Sequence, residues 1–320
     1  GLPLVSSRRW REGGAPPGTF CDSLSPSSLA RDDAVSPRAV HPDAASPDDV
    51  YPEAGRRAWE NGRMLTEGPF ALLDLDTDPQ DLIGGWDREA HAPDTLPERL
   101  VMAFLGPTVD DFAAERGWET AVELESITRN FPYYVTEHRG EKVAIVLAPL
   151  GAPAAVQNLE FGLNLGVKHV VAVGSCGALK DHEEGAMLVP TRALRDEGTS
   201  YHYAPAGDWV DLDPASVAAV TDALTAAGRD FAPVTTWTTD GSPREAPAVI
   251  ERRKAQGCDV VDMECSALAV ACDFRGASFA QLLYTADSLA DLDAHDPRGW
   301  GIASRSVALE LALDAVVRLG

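Results

Sequence analysis

From about residue 98 to the end of the chain, short apolar runs alternate with segments of helical period. Several of these runs are continuous enough for strands that are buried on both faces. The predicted strands cover residues 99–106, 141–148, 167–175, 185–190 and 276–285. The alternation predicts an α/β fold, a three-layer α/β/α sandwich around a central parallel or mixed sheet, whose ligands bind beyond the carboxyl ends of the strands.

Three segments have the apolar period of amphipathic helices, and they cover residues 152–166, 213–228 and 304–319. The second segment starts with Asp213 as a helix N-cap and Pro214 in the first turn. These helices are expected to cover the predicted sheet.

The first 97 residues show no such period. They contain 12 of the 23 prolines, in stretches rich in Ser, Pro and Asp. We therefore divide the chain into an N-terminal extension, residues 1–97, and a folded domain, residues 98–320. The extension has short apolar patches, so we expect it to order by docking on the folded domain or on a second subunit, with a flexible leader as the alternative.

The charge balance narrows the classes of partner. The chain has 27 Lys and Arg against 50 Asp and Glu, so its net charge is −23. This charge repels phosphate backbones and anionic membranes, which argues against nucleic acid as a partner. No apolar stretch has the length of a signal peptide or a membrane span, so we predict a cytoplasmic protein without a membrane partner.

The five cysteines do not have the spacing of metal ligands. Three of them lie in apolar runs, as small core residues do. We therefore predict a reducing compartment and no metal site.

Acidic residues stand at the ends of two predicted buried elements. Asp262, Met263 and Glu264 form the mouth of a helix, and the strand predicted at 276–285 runs into Asp287. Buried carboxylates are costly unless they are paired or used in chemistry. These positions therefore predict a functional site.

A glycine-rich turn follows another predicted strand. Gly174 and Gly177 let the backbone turn closely after residues 167–173, and they leave N–H groups free to meet the oxygen atoms of a ligand. Such turns occur in many α/β proteins, so this signal alone does not identify the ligand.

Four blocks of the sequence resemble the nucleoside phosphorylase and nucleosidase superfamily, which includes uridine phosphorylases, purine nucleoside phosphorylases and methylthioadenosine nucleosidases. The blocks follow in the order and spacing of that family, at residues 171–203, 237–245, 260–271 and 282–289. The resemblance covers residues 98–320. It implies an α/β/α sandwich with a mixed central sheet, an enzyme that breaks the N-glycosidic bond of a nucleoside without a cofactor, and a homo-oligomer, either a dimer or a trimer of dimers.

The resemblance implies roles for the residues at the helix mouth. Glu264 matches the residue that accepts hydrogen bonds from the 2′- and 3′-hydroxyls, and Met263 matches the residue that packs against the ribose face. Asp262 either contacts the substrate or caps the helix beside the substrate site. For Glu264, the alternative is an acid favoured only by the helix dipole.

Asp287 matches the aspartate that protonates or hydrogen-bonds N7 of the leaving base in the purine-directed relatives. A general acid is needed there because the base leaves with the electrons of the glycosidic bond. We expect burial to raise the pKa of Asp287 for this task. The purine-cleaving relatives usually have Ser before this Asp, whereas this chain has Ala286.

The base pocket departs from the family pattern. Ser242 and Pro243 stand where relatives place an aromatic ring over the base, so no stacking ring is expected there. Arg244 matches an arginine that reaches the carbonyl oxygens of an oxo-base in pyrimidine-cleaving relatives. Asp287 favours a purine and Arg244 a uracil-like base, and we favour the purine. His202, with its tyrosine neighbours, lines the pocket rim or belongs to an interface.

Two departures from the family pattern concern the group that attacks the sugar, either phosphate or water. Ala172 replaces a phosphate-binding arginine of the phosphorylases, and the loop after the first strand lacks their second one. Ser175, the hydroxyl partner of phosphate or of water, is kept. Asp111 matches a carboxylate that activates water in the hydrolytic relatives, although Asp110 and Asp111 also have the pattern of an acidic helix start. Because a dianion requires cations, these residues favour water.

The sequence therefore predicts hydrolysis of a purine-type nucleoside, with Asp287 and Asp111 as catalytic residues. One alternative is a phosphorylase that recruits other arginines, such as Arg192, Arg195 or a residue of a neighbouring subunit. Another is a catalytically silent nucleoside-binding protein. Phosphate is a co-substrate only in the phosphorylase alternative.

Overall fold

A computed structural model of the chain describes residues 57–60, 63–79, 81–82 and 95–320. Most of the predicted N-terminal extension lies outside the described residues, and the boundary at residue 98 stays a prediction. Within the described ranges, no helix has the length and apolar character that a membrane span requires.

Three short strands precede the main sheet and pair antiparallel with each other: β1 (Arg57–Glu60), β2 (Arg63–Thr66) and β3 (Leu75–Asp76). The segment that follows these strands contacts Arg275 of the folded domain. The guanidinium of Arg275 donates to the carbonyl oxygen of Pro79 at 2.8 Å and pairs with the carboxylate of Asp81.

Ten strands form one mixed sheet: β4 (Arg99–Phe104), β5 (Glu119–Glu125), β6 (Asn130–His138), β7 (Glu141–Leu147), β8 (His169–Ala178), β9 (Met187–Asp196), β10 (Trp209–Asp211), β11 (Phe231–Thr239), β12 (Val260–Asp262) and β13 (Ser278–Ser288). Their order is β10-β9-β11-β12-β8-β4-β7-β6-β5, and β13 pairs with both β8 and β9. The pairs formed by β4 with β7 and β8 are parallel, whereas the edge strands β5 and β6 are antiparallel.

Five of these strands close into a ring, because β13 is parallel to β8 and antiparallel to β9. The ring runs through β8, β12, β11, β9 and β13. Each strand contributes one buried residue to a small apolar cluster, formed by Cys176, Leu188, Val234, Val260 and Leu283. The ring holds the carboxyl ends of β8, β12 and β13 close together, where the candidate site lies.

Six α-helices are present in the described part: α1 (Thr108–Arg116), α2 (Ala152–Asn164), α3 (Pro214–Ala226), α4 (Pro247–Ala255), α5 (Cys265–Arg275) and α6 (Arg305–Val316). Buried residues of α2 and α5 share one core cluster with the sheet. Those of α1, α3 and α6 share the cluster on its other face. The predicted three-layer α/β/α sandwich with a mixed sheet is therefore confirmed.

Local predictions were accurate where the apolar period was strong. Asp213 is the N-cap of α3, since its Oδ2 accepts a hydrogen bond from the Ser216 N–H at 2.8 Å. Strands β5, β6, β10, β11 and β12 were not among the strands predicted from the sequence. Most residues of β5 and β6 are exposed or half-buried, so these two strands lack the apolar runs that revealed the central strands.

Candidate active site

A cavity of about 480 Å³ opens at the carboxyl ends of β4, β8, β12 and β13. Seven of the residues predicted from the sequence line it: Gly174, Ser175, Ser242, Asp262, Met263, Glu264 and Asp287. Parts of the chain as far apart as residues 104 and 300 meet there. The position agrees with the expectation that ligands of an open α/β sheet bind beyond the strand ends.

The junction of β12 and α5 is held by Asp262. Its Oδ1 accepts hydrogen bonds from the hydroxyls of Thr236 and Thr238, both at 2.8 Å. Its Oδ2 accepts from the backbone N–H groups of Glu264 and Cys265, at 3.0 and 2.7 Å. Burial raises the pKa of Asp262, while these four hydrogen bonds oppose the rise. Because both oxygens have protein donors, Asp262 is a capping group that fixes the first turn of α5.

Glu264 follows directly and is 5% exposed. Its Oε1 accepts a hydrogen bond from the backbone N–H of Gly151 at 2.6 Å, at the start of α2. Burial, and then the nearby Asp262, raise the pKa of Glu264 to about 8. Gly151 has φ +92°, a backbone conformation that L side chains rarely adopt, so a glycine suits this contact. The carboxyl group is thus fixed in direction at the cavity wall.

Gly177 allows strand β12 to approach the end of β8. A Cβ on this residue would stand 2.9 Å from Cγ1 of Val261 and 3.4 Å from Oδ1 of Asp287. A side chain there would force the Val261 side chain to shift, whereas its distance to Asp287 would be an ordinary van der Waals contact. The sequence predicted a turn after residue 173, but Gly174 and Gly177 lie inside strand β8, so Gly177 acts by letting β12 approach closely and not by turning the backbone.

A second acidic group and a histidine surround Asp287, and neither was predicted from the sequence. Nε2 of His295 lies 2.8 Å from Oδ2 of Asp287. Burial, and then the charge of Asp287, raise the pKa of Glu245 to about 7. All three side chains line the cavity. Two carboxyl groups and one imidazole thus meet at this end of the cavity, and a histidine is a side chain that can pass on a proton.

An aromatic ring is present in the cavity wall, although the sequence block at Ser242 and Pro243 predicted none at that position. Trp300 lines the cavity, is 53% exposed, and its ring centroid lies 5.8 Å from that of His295. The turn that carries it is held by Glu184, whose Oε1 accepts from the N–H groups of Gly299 and Gly301 at 2.8 and 3.1 Å. The Trp300 ring thus lies outside residues 237–245, the block that resembles the base-binding segment of the family.

Three predicted residues lie outside the cavity lining. Asp111 is exposed on α1, because the helix turns it outward while its neighbour Asp110 accepts a hydrogen bond from the Tyr134 hydroxyl at 2.9 Å. Arg244 is exposed at the end of a short 3-10 helix that brings Ser242, but not Arg244, to the cavity. His202 is exposed at the end of another short 3-10 helix. The exposed positions of His202 and Asp111 agree with the alternatives left open by the sequence, an interface residue and an acidic helix start, whereas Arg244 lies outside the cavity lining where it was expected.

The arginines considered for a phosphate site are engaged elsewhere. Arg192 pairs with Asp211 at 3.1 Å, at the edge of the sheet. Arg195 is buried, and its guanidinium donates to the hydroxyl of Ser200 at 2.9 Å and to the carbonyl oxygen of Pro205 at 2.7 Å. Neither side chain lines the cavity.

The charges around the cavity have one sign. Four acidic residues line it, together with one histidine: Glu245, Asp262, Glu264, Asp287 and His295. No Lys or Arg belongs to the lining in the described part of the chain. Among the same residues, no group of three or more His, Cys, Asp or Glu side chains is arranged to hold a metal ion.

One uncharged polar residue lies deep in the cavity. Gln281 belongs to β13, is 2% exposed and lines the cavity. Its Oε1 is buried and has no hydrogen-bond partner among the described residues. The sequence indicates this residue, because Gln281 stands inside the apolar run at residues 276–285, and a buried amide needs a hydrogen-bond partner.

The family of the chain follows from sequence comparison. A family model described as the phosphorylase superfamily matches residues 98–317. The chain belongs to this superfamily. A DeoD-type purine nucleoside phosphorylase from Hahella chejuensis is 27% identical over 193 residues, which make up 58% of this chain and 79% of that relative.

Solved structures of the phosphorylase superfamily have a similar fold. An AMP nucleosidase from Bacteroides thetaiotaomicron has a TM-score of 0.55 at 20% identity, covering 69% of this chain and 88% of that chain. A purine nucleoside phosphorylase from Toxoplasma gondii has a TM-score of 0.60 at 22% identity, covering 70% and 92%. The predicted family, its fold and the prediction of an enzyme are confirmed.

Proposed function

We propose that this enzyme hydrolyses the N-glycosidic bond of a neutral, purine-type nucleoside. The observation that carries the proposal is the charge of the cavity, whose described lining has four acidic residues and no Lys or Arg. Phosphate, as a dianion, needs cations to bind it, and the described lining offers no Lys or Arg, while every carboxyl group that is ionised would repel it. Water carries no such penalty. For the same reason, a nucleoside fits this cavity better than a nucleotide.

The acidic lining also suits the transition state of hydrolysis. The glycosidic bond breaks through a sugar with oxocarbenium character, which is positively charged. Carboxylates fixed in a partly closed cavity stabilise such a charge more strongly than the neutral ground state. Glu264, held by Gly151, is directed to accept hydrogen bonds from the 2′- and 3′-hydroxyls, while Met263 packs on the sugar.

On the leaving-group side, Asp287 and His295 act as one proton-donating pair. The bond between C1′ and the base nitrogen breaks with its electron pair going to the base, and the pair supplies the proton that neutralises N7. Asp287 orients the imidazole through the 2.8 Å contact between its Oδ2 and Nε2 of His295. Trp300, beside His295, offers the base a flat apolar surface.

The experiment that tests the proposal is a panel of nucleosides assayed with and without inorganic phosphate. We expect free ribose and free base at the same rate in both buffers, with purine nucleosides preferred over uridine. Sugar 1-phosphate as the main product, at a rate that saturates with phosphate, would contradict hydrolysis. No turnover on any nucleoside, with binding retained, would indicate the silent binding protein.

Phosphorolysis is the second candidate because of one arginine near the cavity. Nη1 of Arg305 lies 3.1 Å from the point where a Cβ on Gly106 would stand, at the loop after β4. The Tyr284 hydroxyl interacts with both Arg305 and Ser175, so the guanidinium is near the end of β8. If phosphate is used, Arg305→Gln should abolish the phosphate-dependent rate and leave any phosphate-independent rate unchanged.

A further inference from the structure

The buried amide of Gln281 requires a partner that the described protein does not supply. The side chain is 2% exposed, it lines the cavity, and its Oε1 has no hydrogen-bond partner among the described residues. Buried polar atoms in folded proteins are rarely left without a hydrogen bond, because they lose their hydration on folding. A molecule that donates a hydrogen bond inside the cavity would satisfy this oxygen.

The position of Gln281 in the sheet assigns it to the end of the cavity where the sugar is attacked. Gln281 of β13 lies opposite Ala172 of β8, so the two side chains are on the same face of the sheet. Two residues further along β8, Gly174 is on the same face and also lines the cavity, where a Cβ on it would stand 3.0 Å from Cβ of Phe104. The start of α5, which carries Glu264, packs over this face.

We propose that Gln281 orients the attacking water, with its Oε1 accepting one O–H of that water. The inference rests on the hydrolysis proposed above, and it supplies the water-orienting group that exposed Asp111 does not provide. A neutral amide suits water better than a dianion, since it offers an acceptor and no positive charge. Glutamine is known to orient an attacking water in this manner in phosphoryl-transfer enzymes.

The reaction balances without a strong base. The water oxygen forms a bond to C1′ as the bond from C1′ to the base breaks, and the electrons of that bond leave with the base. The base takes its proton from the pair formed by Asp287 and His295. The water, once bonded to C1′, loses one proton to solvent at the open side of the cavity, while Gln281 only accepts a hydrogen bond and holds the direction of attack.

The test uses the full chain with Gln281→Met, which keeps the length of the side chain and removes the hydrogen bond. We expect kcat for the preferred nucleoside to fall by roughly 10- to 100-fold, with KM changed by less than about threefold, because the lost contact acts on the attacking water rather than on the bound nucleoside. The control is Leu282→Met, which lies on the other face of β13 in the core shared with α6, and which should retain the wild-type kcat.

A readout that a purely structural role would not change is the choice of nucleophile. With methanol in the buffer, the wild-type enzyme should form almost only free ribose, whereas Gln281→Met should form a larger share of methyl riboside. An unchanged kcat, a raised KM at constant kcat, or a reduced kcat with unchanged product partition would each overturn the inference. If Gln281→Met does not fold, as judged by circular dichroism, Gln281→Asn carries the same test.

The outcomes also separate this inference from the proposed function. A wild-type enzyme that hydrolyses nucleosides, with an unaffected Gln281→Met variant, would contradict only the role of Gln281. A wild-type enzyme that makes sugar 1-phosphate would contradict both.

Discussion

Two walls of the cavity are built in different ways. The core wall consists of residues 174–177 at the end of β8 and residues 262–264 before α5, and Asp262 fixes it with four hydrogen bonds. The loop wall consists of residues 289–300, which follow β13 and carry His295 and Trp300. Glu184 holds its end through two backbone N–H groups, and one isolated bridge joins Ser288 to Asp296. The difference teaches that the wall proposed to bind the sugar is fixed by the sheet itself, while the wall proposed to bind the base depends on a loop outside the sheet.

The largest effect is expected from a substitution of Asp287, which lies where the two walls meet. Asp287→Asn should lower kcat for a purine nucleoside by roughly 10²- to 10⁴-fold, because the pair with His295 loses its negative member and its ability to deliver a proton. A 4-nitrophenyl riboside, whose leaving group needs no proton, should be affected far less. Equal losses on both substrates, measured in steady-state assays, would mean that Asp287 only shapes the wall.

Glu264→Gln tests the core wall alone. We expect kcat/KM for ribosides to fall by roughly 10²-fold, since a neutral amide accepts hydrogen bonds from two hydroxyls less well than a carboxylate. The loss for 2′-deoxyribosides should be smaller, because one of the two hydroxyls is missing from the substrate. Similar losses on both sugars would leave Glu264 as a group that only holds the start of α2 through Gly151.

The pH dependence of kcat/KM should reflect the ionisation of Glu264, which belongs to the core wall. The pKa of Glu264 is raised to about 8, so the ionised form that is proposed to accept hydrogen bonds from the sugar becomes dominant only above that pH. We expect kcat/KM for ribosides to rise with pH through about 8 in the wild-type enzyme. Glu264→Gln should remove this rising limb, and a limb that persists in the variant would assign it to another group.

Trp300→Ala tests the loop wall alone. If the ring supports the base, KM for purine nucleosides should rise by roughly 10-fold with kcat changed little, as expected from the loss of one stacking contact. Ile302→Ala is the matched control, because Ile302 is similarly exposed but does not line the cavity. A loss in kcat with constant KM would instead indicate that Trp300 supports His295.

The smallest expected effect is at Asp111, which belongs to neither wall. Its side chain is exposed on α1, so Asp111→Asn should change kcat by less than about twofold. This outcome reverses the expectation from the sequence, in which Asp111 activates water. A sharp loss of activity would mean that α1 moves toward the cavity when the nucleoside binds.

The core wall was predictable because its residues stand at the ends of regular elements. Met263 and Glu264 follow a buried strand and open a helix, a place that sequence patterns mark clearly. The role of Asp262 was not fixed by the sequence, since its partners Thr236 and Thr238 lie on β11, more than twenty residues earlier. Only the fold shows that both carboxylate oxygens of Asp262 already accept hydrogen bonds from the protein.

The loop wall was not predictable from the sequence. His295 and Trp300 lie in a segment without apolar period, and Trp300 is placed by a contact between Glu184 and backbone groups more than one hundred residues away. Arg244 was expected near the base but lies outside the cavity lining, because a short 3-10 helix decides which side chain faces the cavity. In both cases the deciding contacts are long-range or depend on one local turn.

The acidic lining of the cavity also determines which small molecules would inhibit the enzyme. A sugar mimic whose ring carries a protonated nitrogen would bring a positive charge to the acidic lining, as the proposed transition state does, and would favour the ionised form of its carboxyl groups. A nucleoside analogue with a sulfonate or a phosphonate would meet repulsion from the same groups. Cationic ring mimics should therefore be the most potent inhibitors of this chain, and selectivity between bases should be sought separately, through contacts with Trp300.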